Sequence, residues 1–163
     1  MTRPYIYLSS SWKNRERVRA LAVKLNKESY DVYDFTNPFC RDSPELAPEA
    51  FPAVFNPETD LYQYFLKDTP EFGAGVEGNK KALQNCDAVV LLLPCGNDAH
   101  ADAYYALGLG KKLVVCGQPP RGDVTPTHLW ADQIVDYDEN VPTALKRMLE
   151  PEAPKKESEH ESP

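Results

Sequence analysis

Residues 89–112 read VVLLLPCGNDAHADAYYALGLGKK. The apolar run at 88–93 has no polar alternation, so it reads as a strand buried on both faces, the pattern of a central parallel strand. It stops at Pro94-Cys95-Gly96. The stretch that follows has the composition of a helix, with Gly108 or Gly110 at its C-terminal end. KKLVVCG at 111–117 is then a further strand. Strand, helix and strand in so short a span predict a parallel sheet with right-handed crossovers.

The same alternation extends in both directions. YIYLSSSW at 5–12 is a strand running into a serine loop. In NRERVRALAVKLNKE, Val18, Leu21, Ala22 and Leu25 recur at helical spacing. YDVYDF at 30–35 is a second strand, closed by the turn pair Asn37-Pro38. Prolines then recur at 38, 44, 48, 52, 57 and 70, an irregular excursion of the kind that serves as a lid or binding loop, with a short helix expected over 59–66. A helix over 76–85 leads into the central strand. A Pro/Gly loop follows KKLVVCG, then an edge strand in DQIVDY and a last helix in NVPTALKRMLE. The expected fold is α/β: a three-layer, doubly wound, five-stranded parallel sheet in the flavodoxin-like, Rossmann-like order. Residues 1–150 form one domain, and the polar, proline-bearing 151–163 is expected to be a disordered acidic tail.

Composition narrows the function. A net charge of −7 argues against nucleic acid or an anionic membrane as partner. Four cysteines, with no CxxC pair and no apolar leader after Met1, read as reduced thiols of a cytoplasmic protein. The longest apolar run is too short to span a bilayer. No histidine spacing suggests a metal site, because His128 falls in a loop and His160 in the tail; no cofactor is expected.

In a doubly wound sheet, ligands sit at the carboxyl ends of the strands, near the switch in strand order. Ser9 to Trp12 and Gly96 to Asp102 both fall at such ends, so two loops distant in sequence are expected over one crevice. Two carboxylates, Asp98 and Asp102, stand four residues apart there with His100 between them. Asp98 also reads as a helix-capping or first-turn acid. Asp102 lies one turn further along a largely apolar helix, where an acid needs a partner or a function. A carboxylate so placed can oppose the positive charge that develops at a sugar C1′ when an N-glycosidic bond breaks. Two other patterns are set aside. GAGVEG fits GxGxxG but follows no strand, and RGD at 121–123 reads as a turn.

Taken together, IYLSSSW, YDVYDF with its NP, and CDAVVLLLPCG with AHADAYYALGLGKK resemble the nucleoside 2-deoxyribosyltransferase-like family, which includes deoxynucleotide N-hydrolases. The likeness spans residues 5–148. The family motif after the third strand runs P-C-G-x-S-x-H-x-E-x-G-y-A. Pro94, Cys95, Gly96, His100 and Ala106 match it. Asp98 stands where Ser is usual, Asp102 where the C1′ carboxylate Glu is usual, and Tyr104 where Gly is usual. Asn79 stands where a helix Asp is expected near the departing base. Asp for Glu keeps the charge and withdraws it by one methylene, about 1.5 Å. Asn for Asp removes an acid, and Asp98 puts negative charge where the resemblance implies a 5′-phosphate end.

The resemblance implies N-glycosidic cleavage or (deoxy)ribosyl transfer on a nucleoside or nucleotide-like small molecule. Asp102 would be the catalytic carboxylate and Asp98 its companion acid. Tyr7, Ser9, Trp12, Asn79, Gly96 and His100 would bind substrate, and a homodimer is expected. The substitutions also fit a family member that binds without catalysis. A third possibility is cleavage of the nicotinamide bond of NAD by the same chemistry.

Overall fold

A computed structural model of the chain describes residues 2–37, 39–42, 70–119 and 125–150. The helix expected over 59–66, the RGD turn and the tail lie outside the described residues.

Five strands form one sheet: β1 (Tyr5–Ser9), β2 (Asp31–Asp34), β3 (Ala88–Leu92), β4 (Lys112–Cys116) and β5 (Gln133–Val135). Their order is β2-β1-β3-β4-β5 and every pairing is parallel. This is the flavodoxin-like order expected from the sequence. β3 lies at the centre and is wholly buried, which explains its unbroken apolar run. The helices are α1 (Arg15–Lys27), α2 (Pro70–Asn85), α3 (Asn97–Gly108), α4 (Pro126–Trp130) and α5 (Val141–Leu149).

Alternation along each strand divides the core into two layers. Ile6, Leu8, Val90 and Val114 point to one face and pack with α1 and α5, through Val18, Leu21, Leu25, Val141 and Leu145. Tyr5, Tyr7, Tyr33, Val89, Leu91 and Val115 point to the other, under α2 and α3. The four α1 residues singled out by their spacing are the four that are buried. α3 ends in a left-handed Gly110, φ 74°. The Lys111 amide there bonds Ala106 at 3.0 Å and the Gly110 amide bonds Leu107 at 2.9 Å. These two bonds close the last turn around a residue that needs no Cβ.

Two expectations change. The helix expected over 76–85 begins at Pro70, so GAGVEG lies within α2. Proline suits a first turn, where its missing N–H has no intrahelical partner. The presumed loop around His128 contains α4, with Thr125 at its N-cap and Pro126 in its first turn. The surrounding prolines hid a Thr-Pro helix start. His128 is buried there, and its Nδ1 accepts the Thr125 backbone N–H at 2.9 Å.

Candidate active site

β1 turns Tyr7 and Ser9 to the α3 side because they are two residues apart. The register places Tyr33 of β2 beside Tyr7. The two rings stack with centroids 5.0 Å apart and planes 10° from parallel. α3 lies close to this face because its inner residues are Ala99, Ala103 and Ala106, all buried. Small side chains let the helix approach the sheet, and the short Asp102 then reaches β1.

Asp102 receives two hydrogen bonds. Tyr7 donates its hydroxyl to Oδ2 at 3.0 Å, and Ser9 Oγ reaches the same Oδ2 at 3.0 Å. Ser9 Oγ also lies 3.3 Å from the Ala99 carbonyl, the longer of its two options. Both donors fall on one carboxylate oxygen, Oδ2. Burial raises the Asp102 pKa from 3.8 to about 6; the Ser9 and Tyr7 bonds pull it down, and the Asp98 charge pushes it up. Burial and the Asp102 charge also hold Tyr7 well above the usual phenol range, so it stays a donor. Nearby Cys95 is pushed up to about 11 by burial and by Asp102, and is a neutral thiol.

Asn79 on α2 joins the group through Tyr33, whose hydroxyl donates to its Oδ1 at 2.7 Å. Trp12 lies in the short 3-10 turn after β1, its ring 6.1 Å from that of Phe35 just beyond β2. Ser10 Oγ donates to the Leu92 carbonyl at 2.9 Å, and Asn14 Nδ2 donates to the Pro94 carbonyl at 2.7 Å. These bonds bind the β1 loop to the β3 loop. Gly96 is the N-cap of α3, and among the described residues nothing lies within 4 Å of where its Cβ would stand. Asp98 is exposed in the first turn of α3, with no side-chain hydrogen bond among the described residues.

The structure thus joins Tyr7, Ser9 and Asp102 by hydrogen bonds and reaches Asn79 through Tyr33, with Trp12 and Gly96 on the loops at the strand ends and Asp98 in the first turn of α3. His100 meets α4. Its Nδ1 lies 3.3 Å from Thr127 Oγ1, and its ring meets His128 edge-on at 5.8 Å. Tyr104 also faces α4, against Trp130 at 6.0 Å. Tyr33 was missed in the sequence. Its alternation marks it as inward-facing, but only the β1–β2 register makes it a neighbour of Tyr7. Among the described residues no three His, Cys, Asp or Glu side chains converge as metal ligands would. No helix there is long and apolar enough to cross a membrane.

No protein-family model matches the chain, and no curated protein matches it. Among solved structures it is similar to a CMP N-glycosidase of Clostridium botulinum, BcmB, with a TM-score of 0.48 and 15% identity over 90% of this chain and 98% of that one.

Proposed function

We propose that the crevice cleaves the N-glycosidic bond of a nucleoside or nucleotide-like compound, with the Asp102 carboxylate set against C1′. The observation that carries this reading is the posture of Asp102. Two donors hold Oδ2 at the carboxyl rim of the sheet, and Oδ1 has no partner among the described residues.

In this reaction the C1′–N bond breaks and its electron pair leaves with the base. Oδ1 stabilises the positive charge at C1′, or bonds to it until water or a second acceptor releases the sugar. Tyr7 and Ser9 fix the carboxylate before the substrate arrives, so little reorganisation remains for the reacting step. With a pKa of about 6, the carboxyl is largely ionised at neutral pH. Trp12 offers a ring for stacking, and Asp98 disfavours a phosphate at the start of α3. One feature favours a second reading, binding without turnover: Asn79 has no proton to deliver to a departing base.

The test is free-base release, followed chromatographically, over a panel of nucleosides, nucleotides and NAD. Wild type should release base from at least one nucleoside or nucleotide. Asp102→Asn keeps the shape, removes the charge, and should lower that rate by roughly 10²–10⁴-fold. Equal rates for wild type and Asp102→Asn would remove Asp102 from the mechanism. Binding without release by any panel member would leave the second reading.

A further inference from the structure

We infer that Tyr33 is a positioning residue that locks the Asn79 amide with its Nδ2 group as the ligand-facing end, so that the crevice selects bases carrying a hydrogen-bond acceptor next to the glycosidic nitrogen. Tyr33 donates to Asn79 Oδ1 at 2.7 Å. Burial raises the Tyr33 pKa, so the phenol keeps the proton it donates. An amide whose oxygen is taken in this way presents its N–H groups in the other direction. Asn79 is only partly buried, and Nδ2 has no partner among the described residues.

The position of Asn79 follows from the tyrosine stack. Tyr7 and Tyr33 are register partners on parallel strands, with rings 5.0 Å apart and within 10° of parallel. One hydroxyl holds the Asp102 carboxylate and the other holds the Asn79 amide. An acceptor and an amide are therefore held by two neighbouring rings. If Asp102 faces C1′, an atom reached by the neighbouring amide lies close to the glycosidic nitrogen. Pyrimidines have O2 in that position and purines have N3, whereas nicotinamide has only C–H groups beside its ring nitrogen. As the bond breaks, the base gains electron density, and an N–H donor at O2 or N3 stabilises it without transferring a proton. The link to the base rests on the proposed glycosidic reaction. The amide orientation does not.

The test separates the two. In 15N-labelled protein, the Asn79 side-chain amide signal is identified by its loss in Asn79→Asp. 1-Methylcytosine, 1-methyluracil, 9-methyladenine and 1-methylnicotinamide, each with a methyl group where the sugar would be, are then titrated. The cytosine, uracil or adenine compound should shift that signal, and the nicotinamide compound should not. Tyr33→Phe keeps the ring stack and frees the amide to rotate. It should weaken the binding of the preferred base about five-fold, the worth of one neutral hydrogen bond, and should reduce its advantage over nicotinamide. If Tyr33→Phe is too unstable to measure, Asn79→Ser should show the same loss of discrimination. The inference is overturned if no base shifts the signal, if the nicotinamide compound shifts it equally, or if the Tyr33→Phe and Asn79→Ser proteins discriminate as wild type does. A shift by the cytosine compound with no cleavage of any nucleoside would sink the proposed reaction and leave this inference standing. Cleavage without any response of Asn79 would do the reverse.

Discussion

Asp102 combines a strained ionisation with good hydrogen bonds, and the two have separate consequences. Burial outweighs the Tyr7 and Ser9 bonds, so its folded pKa, about 6, exceeds the ordinary 3.8. The folded protein therefore holds this proton more tightly than the unfolded chain does. The resulting stabilisation is complete below about pH 4 and is lost as pH rises through about 6. Asp102→Asn mimics the protonated acid. It should be more stable than wild type at pH 7 by on the order of 1–2 kcal/mol, and equal to it near pH 3, as measured by urea unfolding across that range. The rate should behave in the opposite sense. If the ionised carboxylate acts at C1′, kcat/KM should rise through about pH 6 and then level off. A flat profile from pH 5 to pH 8 would dissociate turnover from Asp102.

At the scale of the element, α3 delivers the carboxylate through its alanines. Ala103 is completely buried between helix and sheet. Ala103→Leu should cost about 1–3 kcal/mol through overpacking. By lifting α3 it should also lengthen the Tyr7–Asp102 contact and reduce turnover beyond any loss of folded protein, a difference resolved by measuring activity per folded molecule. The turn after β4 is equally constrained. Gly117 has φ 103°, and a Cβ there would stand 2.9 Å from the Leu93 carbonyl oxygen. Gly117→Ala should lower Tm by several degrees, since it adds both a left-handed strain and a backbone contact.

Across the whole molecule, Arg17 ties α1 and the turn before α5 to the centre of the sheet. It makes a two-pronged contact with Asp138, at 2.9 Å from Nε and 2.6 Å from Nη2, and also bonds the Leu93 carbonyl. Asp138 in turn holds the Cys116 thiol at 3.2 Å. α1, the ends of β3 and β4, and the turn into α5 meet at this one ion pair. The Arg17 bond holds the Asp138 pKa below its ordinary 3.8. Its contribution to stability is therefore present above about pH 4 and is lost as pH falls through the lower folded value. Arg17→Met should destabilise the protein by about 1–3 kcal/mol at pH 7 and by less near pH 2, as followed by thermal melts at both values.

The fold was legible because its signals are local. The apolar run at 88–93, the spacing of Val18, Leu21, Ala22 and Leu25, and the alternation of strand with helix each depend on residues a few positions apart. Burial of a whole face imposes that periodicity on the sequence itself. Ser9, Gly96 and Asp102 could be assigned to one rim for the same reason, since a parallel sheet brings all its strand ends to one side. What the local pattern does not contain is the register between strands and the distance between layers. Tyr33 becomes part of the site only because β2 pairs with β1 so that it stacks on Tyr7. His100 turns to α4 because Thr127 and His128 fold into a helix beside it. Asp102 becomes a held, partly buried carboxylate only because three alanines bring α3 down to Tyr7 and Ser9. Sequence thus determined the strands and the long helices and which of their ends meet, though not α4. Tertiary structure decided which side chains touch, because hydrogen bonds and pKa shifts depend on distances of an ångström between residues that lie about 80 to 95 positions apart in the chain.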